Sequence, residues 1–135
     1  MMVLDIVAVA VATVAGMAVG AAWFSKRLGG KPWARAAGVE LGSAPASAYL
    51  YALVATAITA TVLKVAVDIA AVAVAGPYLV TAILVGVLAW LGFTAARCAV
   101  EYLFEQRPLR LFVIDMGHQL AVVLVMSVIV GLFGN

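Results

Sequence analysis

Four ionisable side chains, Arg97, Glu101, Asp115 and His118, stand inside two otherwise apolar stretches of this chain. Arg97 and Glu101 are four residues apart and share one helix face. Asp115 and His118 are three apart, with Gln119 beside them and Val122 and Met126 continuing the stripe. If the first apolar stretch ends near Phe104 and the second begins near Leu109, Arg97 lies about 10 Å and Asp115 about 9 Å from that edge. The two are then expected to face each other at one level. One chemistry this set suits is a proton or ion relay, with His118 as the group that ordinarily titrates near neutrality. The other is structural, a buried ion-pair network that fixes the register of a hairpin. Asp115-x-x-His118 is also half of the carboxylate-x-x-His motif with which helical bundles hold paired metals. A single histidine and no second copy leave that motif incomplete unless subunits contribute together, so no metal and no cofactor is expected.

Lys64 and Asp68 form a second charged pair one helical turn apart. Counted from Pro45, Lys64 is about 27 Å along a helix and reaches the far interface, where its ammonium can snorkel into water. Counted back from Gly76, it falls near mid-membrane, where a charge implies a function. The first placement is the expected one, because it also puts Tyr49 and Tyr51 at the opposite interface. Cys98, the single cysteine, excludes an internal disulfide and a CxxC motif and reads as a small apolar residue. A lone serine or cysteine with one distant histidine is no nucleophilic constellation, and the glycines form neither a GxGxxG nor a P-loop pattern. An enzyme is not expected.

The elements that carry these residues follow from the composition. Of 135 residues, 67% are hydrophobic and 10% charged, too few charges to cover a water-soluble fold. The medium around most side chains is therefore lipid. The net charge of +2 is too small for a nucleic-acid footprint. Four apolar runs of about 20 residues, each enough to cross about 30 Å of hydrocarbon, occupy most of the chain. They predict an all-α polytopic membrane protein, a single domain over 1–135, with a bundle of four transmembrane helices at about 5–24, 46–68, 78–100 and 109–133. Backbone groups in lipid must be satisfied within the segment, and the runs lack the alternation of barrel strands. Asp5 stands where a cleaved leader would carry bases, so the first run is read as an uncleaved span. Between the first two spans, Pro32 suits the first turn of a short interfacial helix with Lys31 and Arg35 in water.

Seven of the eight bases (Lys26, Arg27, Lys31, Arg35, Arg97, Arg107 and Arg110) fall in the loops after spans one and three or in the span ends beside them, and Lys64 alone lies opposite. The positive-inside rule then places loops 25–45 and 101–108 in the cytoplasm and both termini outside, in a cytoplasmic (inner) membrane. On span one, Ala12, Gly16 and Gly20 form a small-xxx-small ridge for helix packing, within a protomer or between protomers.

The runs Gly20-Ala21-Ala22-Trp23-Phe24-Ser25 and Gly30-Lys31-Pro32-Trp33, then Leu91-Gly92-Phe93-Thr94, Glu101 through Leu109, and Asp115-Met116-Gly117-His118, carry a resemblance. Over nearly its whole length, with span two least alike, the chain resembles the small bacterial and archaeal membrane proteins grouped as domain of unknown function 1761. The resemblance implies four spans and brings no activity, cofactor or catalytic residue. It also implies tyrosine at the position of Phe24 and frequent asparagine near Asp115, so neither residue is expected to be indispensable.

Two functions remain. One is a small oligomeric transporter or channel-like protein whose Arg97–Asp115–His118 region lines a path for a small solute or ion. The other is a structural or accessory subunit that packs with itself or a larger partner. Four short helices enclose little volume, so either reading implies a homo-oligomer or a partner, with membrane lipid around it.

Overall fold

The computed structural model describes residues 2–134. Its helices are α1 (Met2–Trp23), α2 (Gly30–Ala37), α3 (Ala46–Ala73), α4 (Tyr78–Ala89), α5 (Ala96–Phe104) and α6 (Leu109–Phe133), with a π-helical segment at Trp90–Ala95 joining α4 to α5. No strand occurs among the described residues. Four stretches, Val3–Trp23, Ala46–Ala73, Tyr78–Phe104 and Leu109–Phe133, are long and apolar enough to cross a membrane. The all-α, four-span bundle read from the sequence is the fold. The second and third long helices run past the expected ends, to Ala73 and Phe104. The short helix expected around Pro32 is α2, with Lys31 and Arg35 exposed and Ala34 buried.

Proline sets three of the helix starts. Pro45, Pro77 and Pro108 are the N-caps of α3, α4 and α6, each with φ near −60° and extended ψ. The pyrrolidine ring fixes that φ, and the missing N–H is one the first turn would leave unpaired anyway. At the other end of α2, Gly38 takes φ 72° and closes the helix through bonds to the Ala34 and Arg35 carbonyls, a left-handed cap that suits glycine.

Helix α6 is the centre of the bundle, packing against α1, α4 and α2, while α3 lies outside against α1 and α4. The core consists of Ala12, Ala60, Leu63, Val67, Ala82, Val122, Met126 and Val130. Small residues bring the backbones together, as lipid requires in the absence of a water-driven force. A Cβ on Gly16 would lie 2.8 Å from Met126 Cε of α6 and 3.0 Å from Thr56 Cγ2 of α3. One on Gly86 would run into Ser127 Oγ. Valine, leucine, isoleucine and phenylalanine cover the outside, among them Val14, Leu50, Ile58, Ile69, Leu88 and Phe93. Such continuous apolar cover is a lipid-facing surface.

The π-helical segment decides which faces of the third span meet α6. Trp90 and Tyr102 are twelve residues apart, so an unbroken α-helix at about 100° per residue would set them about 120° apart. One residue absorbed in a π turn reduces that difference to about 20°. Both side chains then reach α6: Trp90 Nε1 donates to the Met116 carbonyl at 3.1 Å, and Tyr102 donates its hydroxyl to Asp115 Oδ2.

Candidate functional site

The charged side chains gather toward the two ends of the bundle. At the end formed by the start of α1, the later part of α3 and the start of α4, Lys64 is 6% exposed. Its Nζ contacts both oxygens of Asp68 at 2.7 and 2.6 Å and Asp5 Oδ1 at 3.0 Å. Tyr78 donates its hydroxyl to Asp68 Oδ1 at 2.5 Å, and its ring centroid lies 5.9 Å from the ammonium. Asp5 and Asp68 keep roughly half their side-chain surface open. Among the described side chains one cation faces two acids here, and the cluster ties three helices together. Asp5 belongs to the first turn of α1 and Tyr78 opens α4, so the cluster sits at the end of the spans rather than midway.

Sequence reasoning found the Lys64–Asp68 pair because it is local, and it missed Asp5 and Tyr78. A signal existed. Both residues stand at span ends on the side opposite the basic loops, the same level reached by Lys64 when counted from Pro45.

The cluster expected near the other end divides. Arg97 pairs with Glu101 at 3.8 Å, and both side chains are largely exposed. Asp115 instead takes the hydroxyl of Tyr102, whose ring is stacked by the Arg107 guanidinium at 4.2 Å. No ion pair joins Arg97 to Asp115 among the described residues. Equal depth is not equal facing: Arg97 and Tyr102 are about 140° apart around α5, and the phase of that helix turns Tyr102 inward.

His118 packs among aromatic rings. Phe24 meets it edge-on at 4.7 Å between centroids, Trp23 lies at 6.4 Å, and Phe24 in turn abuts Trp33 of α2 at 5.2 Å. Trp23 also donates Nε1 to the Ile114 carbonyl at 3.2 Å, and its ring lies over Gly117, where a Cβ would come within 3.1 Å. Gly20 faces His118, since a Cβ there would stand 3.2 Å from Nε2. The ridge of Ala12, Gly16 and Gly20 thus packs inside the protomer, against α6 and α3. Among the described residues no group of three or more His, Cys, Asp or Glu side chains is placed to hold a metal ion.

A groove of about 610 Å³ runs down the outside between α1 and α3 from the Lys64 cluster. Asp5, Lys64 and Asp68 form its mouth, Thr13 and Thr61 lie further in, and Ile6, Val9, Ala10, Val14, Ala57 and Val65 complete its walls.

Four long apolar helices with a continuous apolar exterior define a multi-pass helical membrane protein. The chain belongs to the family described as protein of unknown function (DUF1761), whose model matches residues 7–131. No curated protein and no solved structure matches it.

Proposed function

We infer that the protein is a membrane packing subunit: a rigid four-span bundle that associates with copies of itself or with a larger membrane partner and has no conduit through a single protomer. The observation that carries this reading is the tightly packed, mostly apolar interior of the bundle. Ala12, Ala60, Val67, Ala82, Met126 and Val130 are fully buried in it, and its few uncharged polar members, Thr13, Thr81 and Ser127, are covered as well. A solute path needs a polar or roomy lining. The three small hydroxyls of this interior are each packed over by neighbouring side chains, and the groove that Thr13 lines runs down the outside of the bundle.

A second reading draws on the π-helical segment, because π turns are frequent at functional sites and this one packs against α6 beside Met116. In that reading protomers assemble in the inner membrane and the Asp115–His118 region lines a path for a small solute or ion. Proteoliposomes carrying the purified protein separate the two. The packing reading expects no dye-reported proton, potassium or chloride flux above empty liposomes, together with an oligomer or a co-purifying membrane partner. Flux that follows protonation and disappears in His118→Ala would replace it with the transport reading.

A further inference from the structure

The α1–α3 groove has a feature that the packing reading does not use. Its mouth is acidic and its walls are apolar. Lys64 lies beneath the two carboxylates rather than in front of them, so the surface offered to an incoming group is the open part of Asp5 and Asp68. Asp68 already receives both Lys64 and the Tyr78 hydroxyl, whereas only Oδ1 of Asp5 is engaged by Lys64. Among the described side chains one cation faces two carboxylates, and each acid keeps an open edge at the boundary of the hydrocarbon, where a hydrogen-bonded cation is worth more than in bulk water.

The length of the groove supplies a second constraint. From Asp5 to Val14 along α1 is about 13 Å, and from Asp68 to Ala57 along α3 about 16 Å. One leaflet of hydrocarbon is about 15 Å thick. An occupant that satisfies both ends carries a cationic donor at the interface and an alkyl chain that reaches about to the bilayer midplane.

We propose that the α1–α3 groove binds a membrane lipid with a primary ammonium headgroup, the ammonium donating to Asp5 and the open edge of Asp68 and one acyl chain lying along Ile6, Val9, Ala10, Val14, Ala57 and Val65. A primary ammonium has three N–H donors in a compact charge. A trimethylammonium headgroup has the charge and no donor, and a glycerol headgroup on a phosphate has donors and the wrong net charge, so the three headgroups discriminate the recognition. The proposal is independent of whether the bundle is a packing subunit or a conduit.

Native mass spectrometry of the delipidated full-length protein, titrated in detergent with phosphatidylethanolamine, phosphatidylcholine or phosphatidylglycerol of identical chains, tests it. Phosphatidylethanolamine is expected to be retained at least about ten-fold more than either competitor, the factor one hydrogen bond to a charged group supplies. Asp5→Asn should bring its retention down to that of phosphatidylcholine. Ala10→Trp, which fills the groove away from the charges, should remove the preference while helicity by circular dichroism is unchanged, and it serves as the test if Asp5→Asn does not fold. Equal retention of phosphatidylcholine, preference for phosphatidylglycerol, or a preference that survives Ala10→Trp would overturn the proposal. So would a dimer that excludes all three lipids, which would assign the groove to a second copy of the chain.

Discussion

Lys64 shows how one residue can hold three helices. Its ammonium is almost wholly covered, and a covered charge is tolerated only when it is paired and hydrogen-bonded. Asp68 supplies a partner one turn away, Asp5 adds one from α1, and Tyr78 extends the network to α4. Lys64→Met keeps the length of the side chain and removes the cation, leaving two carboxylates facing each other without a counter-charge. Because both acids are half open to solvent, the expected cost is about 2 kcal/mol, near the value of a hydrogen bond to a charged group rather than that of a fully buried ion. Unfolding in mixed detergent micelles measures it, and a variant as stable as the wild type would show that the network carries no stability. The i, i+4 pair was legible in the sequence. The contributions of Asp5 and Tyr78 were not assigned, because they depend on which helices lie side by side. His118 is a similar case: its type invited a relay, and its neighbours are Phe24, Trp23 and Gly20.

At the scale of the element, the third span is the informative one. Its apolar length announced a helix, but a hydropathy run does not reveal a change of helical phase. The π-helical segment absorbs one residue and thereby lets Trp90 and Tyr102 bond to α6 from the same side. Deleting Gly92, which has nothing within 4 Å of its would-be Cβ, removes that residue and leaves an α-helix with the same two faces aligned. The deletion is therefore expected to leave the thermal midpoint close to wild type. Inserting an alanine after Ala99 in α5 instead sets Trp90 and Tyr102 thirteen residues apart and turns Tyr102 about 100° relative to the preceding helix. It breaks the bond to Asp115, at an expected cost of about 2 kcal/mol, and Tyr102→Phe should add little on that background. If the deletion and the insertion destabilise alike, the phase account fails. The small residues tell a similar story. The Ala12, Gly16 and Gly20 spacing was visible, whereas the partner of Gly86, the buried Ser127 of α6, was not.

For the whole molecule, the distribution of bases makes a prediction about orientation. On a Cys98→Ala background, Gly76→Cys is expected to react with a membrane-impermeant maleimide on intact cells. Ser43→Cys is expected to react only after the membrane is opened. The reverse pattern would invert the bundle and place the Lys64 cluster on the inner side. Either way the two positions lie at opposite ends of α3, a helix longer than one hydrocarbon thickness requires, which lets Asp68 reach the interface.

Composition and run length alone determined that this chain is a four-span helical membrane protein, because the demand of lipid for apolar cover and internally satisfied backbone acts on each segment separately. Proline placement determined where three of the helices begin for the same local reason. The tertiary structure alone decided that α6 is the central helix, that Asp115 goes to Tyr102 while Arg97 turns outward, and that Lys64 gathers Asp5 and Tyr78. Those outcomes depend on the rotation of each helix about its own axis and on the choice of its neighbour. Both are set by the packing of small residues and by one π-helical phase change, and neither leaves a trace in hydropathy.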